Sequence, residues 1–383
     1  MLKRTVILAA VAGVAFALAP MAGAATYNWA TPGAGGTWDL NGSWSQAGYP
    51  NAAGDVADFG PPSTKIDISI NSPVTVGVID DAKGTDRRWF VRSFSGNGSI
   101  IVDNNGSEAI WDWGIRQGMD QTFTLAVPVT LNDNLKWSGN SRILTSGWAI
   151  NQPIGGTGQL HLQIGDDDNT TGPANLVFFD MNVTNTYSGG TVVSSHPGWD
   201  AEHGATVRLN AEQSLGTGNV ELKAGWVNDP QDTQPYNPNS TTMTNSPVGS
   251  LWITDDVADT GGDGDNRIAD AATLSLESWN DGVATFYTWV HLDPGVDETI
   301  AALIIDGVPQ APGTYGATGS LDKNGLPPMF INDQFFRLDP QQGGGVVRVG
   351  AVSQEEIPEP AMLAVLGLGL AGLGGYVRRR KRS

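Results

Sequence analysis

The run from Thr122 to Leu131 limits the fold most sharply. Phe123, Leu125, Val127, Val129 and Leu131 are apolar, and Thr122, Thr124, Ala126, Pro128 and Thr130 stand between them. A period of two suits a strand with one buried face, whereas an amphipathic helix needs apolar residues at spacings of three and four. Pro128 falls in the outward-facing set and has no N–H to donate, so the spacing predicts an edge strand or a bulge there. Shorter runs follow the same logic: Val74, Val76 and Val78; Leu176 to Phe179; Thr206 to Leu209; Val220 to Leu222; Leu251 to Ile253; and Leu274 to Leu276. Gly, Asn or Asp bounds each of them. No helical period appears between Ala25 and Pro360, so the body reads as all-β: a solenoid, a sandwich or a barrel.

The sequence has no cysteine. Without disulfides or thiolate metal sites, stability must come from burial and backbone pairing. The formal charge is −19. Lys3, Arg4, Arg378, Arg379, Arg380, Lys381 and Arg382 all lie at the ends, so the body is more acidic still. That balance disfavours nucleic acid and anionic membrane surfaces, and it is compatible with divalent cations and neutral glycans. Trp29, Trp38 and Trp44 sit early, among Gly, Asn and Thr. Large rings there suit a layer that closes the end of a β stack, and they equally suit a platform for stacking on sugars.

One stretch selects among the β architectures. Asn185-Thr186-Tyr187-Ser188-Gly189-Gly190-Thr191-Val192-Val193 leads on to Leu215-Gly216-Thr217-Gly218-Asn219-Val220. This resembles the passenger-associated repeat of autotransporter proteins, which implies a right-handed parallel β-helix. Gly189-Gly190 lets the backbone turn a corner, and the residues after it form a rung. One copy is present, at about 185–225, and the C-terminal barrel of autotransporters is missing. A second block runs from Ile268 through Ala302-Leu303-Ile304-Ile305-Asp306-Gly307-Val308 to Gly316-Ala317. It resembles the end module of exported proteins that carry such repeats. Asp306-Gly307 between two apolar runs predicts a hairpin, and 271–350 reads as a C-terminal β cap.

The two ends are addresses rather than fold. Lys3 and Arg4 precede an apolar run from Val6 to Leu18, and Ala22-Gly23-Ala24 is an A-x-A site. This is a secretory signal peptide, 1–24, with cleavage expected between Ala24 and Ala25. After a linker at 351–357, Pro358-Glu359-Pro360 is followed by an uncharged run from Ala361 to Val377 and then by Arg378, Arg379, Arg380, Lys381 and Arg382. The apolar run is at the short end for a membrane-spanning helix, and the basic cluster places its end on the cytoplasmic side. These three parts, in this order, resemble the PEP-CTERM sorting signal of exported proteins in exopolysaccharide-producing Gram-negative bacteria. The resemblance implies cleavage near Pro358-Glu359-Pro360 by an exosortase, a membrane protease. It also implies transient anchoring in the inner membrane and delivery to the cell surface or extracellular matrix.

Candidate chemistry is sparse. Asp259, Asp263, Asp265 and Asp270 share the spacing of carboxylates in an EF-hand or dockerin-like calcium loop. Gly261 stands where such loops carry Asp or Asn, and turn-forming Asp is the competing explanation. Calcium is the one cofactor the sequence suggests. His161 and His291 stand isolated, and there is no G-x-S-x-G, H-E-x-x-H or P-loop motif. The expected fold is therefore all-β, a right-handed parallel β-helix or related solenoid over 25–270. β caps close it, a signal peptide precedes it, and one transmembrane helix follows. The expected function is that of an exported, non-enzymatic surface or matrix protein associated with exopolysaccharide and biofilm. The alternatives are a polysaccharide lyase or glycosidase on the same scaffold, and a glycan-binding module.

Overall fold

The computed structural model describes residues 24–30, 35–60, 66–81, 91–116, 122–141, 147–166, 178–195, 203–204, 206–224, 249–255, 266–280, 285–337 and 344–350. Among them the protein is all-β, and its only helix is a short 3-10 turn at Asn41–Ser43.

The chain coils. One circuit comprises the strands Phe123–Leu125, Val129–Leu131 and Leu135–Ser141; the next comprises Trp148–Ile150, Ile154–Gly156 and Leu160–Asp166. Phe123 pairs with Trp148, Val129 with Ile154 and Leu135 with Leu160, every pair parallel. Equivalent positions in these tight turns are 25 residues apart, as Asn134 and Gln159 are. Repetition builds one sheet from Thr26–Asn28 to Ala302–Ile305 and a second from Gly36–Thr37 to Phe336–Arg337. A third, of four strands among the described residues, runs from Pro73–Val76 to Ile154–Gly156. From turn to turn the stacked strands of each sheet pair in parallel, which is the geometry of a β-solenoid, and His203–Gly204 joins the first sheet antiparallel beside Leu160–Asp166.

The expected single strand over 123–131 is two strands in two sheets. The chain turns a corner at Val127 and Pro128. Alternation survives because Phe123, Leu125, Val127, Val129 and Leu131 all point into the same interior. Pro128 therefore marks neither an edge strand nor a bulge. It occupies the corner, where no ladder N–H is required, and its carbonyl accepts the Ile100 N–H at 2.9 Å. The run Val74, Val76, Val78 also breaks, at Gly77: Val78 is only half-buried and Ile79 takes the core position.

The interior changes character along the stack. Its first half is aromatic, with Trp38 5.8 Å from Phe94, Phe94 5.5 Å from Phe123, Phe123 5.7 Å from Trp137 and Trp137 5.1 Å from Phe179, ring centre to ring centre. Beyond Phe179 the equivalent positions are Val207, Leu251 and Val290. Past Gly156 the third side is made by side chains and irregular backbone. Buried Asn185 substitutes for a strand: its Oδ1 accepts the Ile154 N–H at 2.7 Å and its Nδ2 donates to Ser214 O at 2.6 Å. Tyr187 of the same stretch is buried and its hydroxyl bonds Thr191 Oγ1 at 2.6 Å. The segment singled out in the sequence thus forms a corner and the rung Thr191–Ser195.

The parallel ladders pass residue 270 without a break, since Val220 pairs with Leu274 and Leu274 with Leu303. The predicted hairpin is present: Ile305 pairs antiparallel with Val308, and Asp306 and Gly307 both have positive φ, 49° and 75°. This hairpin covers the last strand of the first sheet, and Pro309 leaves no N–H for further pairing. A four-stranded sheet of Asp297–Ile300, Val346–Val349, Gly313–Gly316 and Phe330–Ile331 mixes parallel and antiparallel pairs at the C-terminal end.

Candidate functional site

Outward-facing side chains of a solenoid line up in rows, because the strand register repeats. One row crosses the second sheet: Asp180, Arg208, Trp252, His291 and Arg337 are successive register partners. At its start Arg208 grips Asp180 with two bonds, Nε to Oδ1 at 2.7 Å and Nη2 to Oδ2 at 2.9 Å. Next, the Trp252 and His291 rings pack with centres 4.6 Å apart. Trp252 Nε1 donates to Asp293 Oδ1 at 2.7 Å, and His291 Nε2 lies 3.4 Å from the same oxygen without hydrogen-bond alignment. Burial raises the pKa of Asp293, but the contacts with His291 and Trp252 outweigh it and hold the carboxyl below its usual range. At the end of the row the Arg337 guanidinium lies 5.1 Å over the Trp289 ring. Trp289 in turn packs with Phe286, Trp279 and Ala224 in an apolar cluster separate from the main core.

The first sheet carries a second grouping on its outer face. His161 Nε2 lies 2.8 Å from Ser194 Oγ. Burial, helped by Lys136 and Lys223, pushes the His161 pKa down to about 4, so the ring is neutral at pH 7 and only weakly basic. Gln163 is buried beside them in register with Ser194, and its Nε2 has no hydrogen-bond partner among the described residues. Ser194 is only 1% exposed, which withholds its hydroxyl from an incoming carbonyl group.

The sequence-predicted positions fare differently. Trp29, Trp38 and Trp44 are 4%, 0% and 3% exposed, so none offers a face to a sugar. They close the N-terminal end of the stack instead. Trp38 Nε1 donates to Pro50 O at 3.0 Å and Trp44 Nε1 to Trp38 O at 2.7 Å. The stacking expectation fails because these rings are spent on the open end of the coil, whose apolar interior must be covered. Of the calcium-loop carboxylates, Asp259, Asp263 and Asp265 lie outside the described residues, and Asp270 is exposed in a turn. No group of three metal-ligating side chains occurs among the described residues. Both isolated histidines acquire partners that no local motif announced. His161 meets a serine 33 positions away, and His291 packs its ring against Trp252, which in turn meets Asp293 across 41. The signal in the sequence was the alternation that faces these residues outward.

Ala24 is described and exposed, whereas Ala22 and the whole span 351–383 lie outside the described residues. Among the described residues no helix is long and apolar enough to cross a membrane. Residues 356–381 match the family model of the PEP-CTERM protein-sorting motif. The match contains Pro358, Glu359 and Pro360 and the basic residues Arg378, Arg379 and Arg380. No curated protein and no solved structure matches the chain. The motif marks an exported protein that is anchored in a membrane until an exosortase processes it. The chain is thus a β-solenoid protein that carries a PEP-CTERM sorting motif.

Proposed function

We propose that this is a non-enzymatic protein of the cell surface or extracellular matrix, a stiff β stack whose outer rows engage extracellular polysaccharide. The observation that carries the reading is the run of parallel ladders from Thr26 to Arg337, followed by the sorting motif. A stack of this kind needs no disulfide to persist outside the cell, and its register repeats side chains at the strand spacing of about 4.8 Å, a regular array for a polymeric ligand. The test replaces Pro358, Glu359 and Pro360 together with alanine and follows mass and location by cell fractionation. The native protein should lose its C-terminal segment and leave the membrane fraction, while the variant stays uncut and membrane-bound. Identical mass and location for both would refute sorting through this motif.

A further inference from the structure

The outer row of the second sheet holds two arginines with opposite fates. Arg208 is matched by the two-bond grip of Asp180 on the preceding strand. Arg337 occupies the same row, beside His291, and has no carboxylate partner among the described residues; its Nε is buried without a hydrogen bond among them. Burial pushes its pKa down to about 10, in keeping with a guanidinium that no described carboxylate offsets. Asp293, the carboxyl two residues beyond its neighbour His291, is taken up by Trp252 Nε1 and by the Asp255 N–H, and makes no ion pair with Arg337. A desolvated, unpaired guanidinium costs stability that paired burial or an apolar residue would not. Such a cost persists where a ligand supplies the missing anion.

The surroundings narrow the ligand. Arg337 lies over Trp289, and the half-buried Trp252 and His291 rings pack together beside it. A fork of N–H donors beside aromatic rings fits a flat ligand with an apolar face and a carboxylate at its edge. We propose that Arg337, with Trp252 and His291, binds the carboxylate of an acidic saccharide, a uronic-acid residue of an extracellular polymer. This inference rests on the surface-polysaccharide reading and names its ligand class. The chain's overall negative charge repels such a polymer at long range, so the attraction must come at contact, from the desolvated guanidinium.

The test is calorimetric titration of the purified full-length protein with a galacturonic-acid oligomer and, as control, a neutral glucose oligomer of equal length. EDTA is present throughout, so that calcium bridging contributes nothing. The acidic oligomer should bind, Arg337→Gln should weaken it by about tenfold or more, and Arg337→Lys should recover only part of the loss, because lysine has the charge without the fork. The melting temperature of Arg337→Gln should equal or exceed that of the native protein, since an unpaired cation has been removed. Undiminished binding of the acidic oligomer by Arg337→Gln would overturn the inference, and so would a melting temperature several degrees lower. Equal binding of both oligomers, indifferent to Arg337, would overturn it too while leaving the surface-polysaccharide reading standing. Binding of neither would overturn it and remove that reading's polysaccharide partner, with sorting still judged by the Pro358-Glu359-Pro360 variant.

Discussion

Asn182 and Asn185 stand three positions apart and do different jobs. Asn182 belongs to an exposed ladder, donating to Asn151 Oδ1 at 2.8 Å and accepting from Asn210 at 2.7 Å. Asn185 is buried and replaces strand hydrogen bonds at a corner. Water can take over the first set but not the second. Asn182→Ala should therefore cost about 0.5 kcal/mol and Asn185→Ala roughly 2–4 kcal/mol, measured by urea unfolding, because the latter leaves buried backbone groups unpaired. His161 makes a pH-dependent contribution. Its folded pKa lies below the unfolded value, so the unfolded chain takes up a proton first as pH falls. Stability is intact above about pH 6.5 and should drop by on the order of 1–3 kcal/mol as pH falls to about 4. His161→Gln should remove that part of the slope; an unchanged slope would mean that His161 titrates normally. The N-terminal end offers a third residue-scale prediction. The Ala25 N–H donates to Asp55 Oδ1 at 3.0 Å, and Asp55 Oδ2 accepts the N–H groups of Asn51 and Ala52. Cleavage after Ala24 would turn that amide into an ammonium beside a buried carboxylate. Asp55→Asn should then destabilise the cleaved chain by about 1 kcal/mol more than a chain with one extra N-terminal residue.

Strands were legible and corners were not. The runs at Thr206–Leu209 and Val220–Leu222 form strands with those bounds, and the Asp306-Gly307 turn forms its hairpin. The break at Val127–Pro128 was hidden because a corner can keep every second side chain pointing inward, so alternation alone does not reveal a change of sheet. At other corners the marker is glycine, for a steric reason. A Cβ on Gly189 would lie 2.4 Å from the Gly158 carbonyl carbon, and one on Gly158 would lie 2.0 Å from Asp133 O. Successive turns touch backbone to backbone there. Gly189→Ala should cost about 1–3 kcal/mol in thermal unfolding, although the position is exposed and has no side-chain partner to lose. A neutral substitution would mean that the turns are not packed this closely.

At the scale of the molecule, the all-β solenoid was readable from period-two runs, turn residues and one corner motif. The outer-face clusters were not. Circuits differ in length, from 22 residues between Val56 and Val78 to 54 between Val220 and Leu274, because excursions are inserted between rungs. Without the register, no spacing rule places Trp252 beside His291 or His161 beside Ser194. The three early tryptophans looked like a sugar platform for the converse reason: composition shows that rings are present, but only the stack shows which way they face. In the function we propose, the outer face of this stack engages polysaccharide and leaves it intact. Its most direct test incubates the purified protein with a panel of neutral and acidic polysaccharides, with and without calcium, and measures retention and reducing-end release together. At least one polymer should be retained, with no release above a protein-free control. Release of reducing ends or unsaturated products would contradict it and make the protein an enzyme.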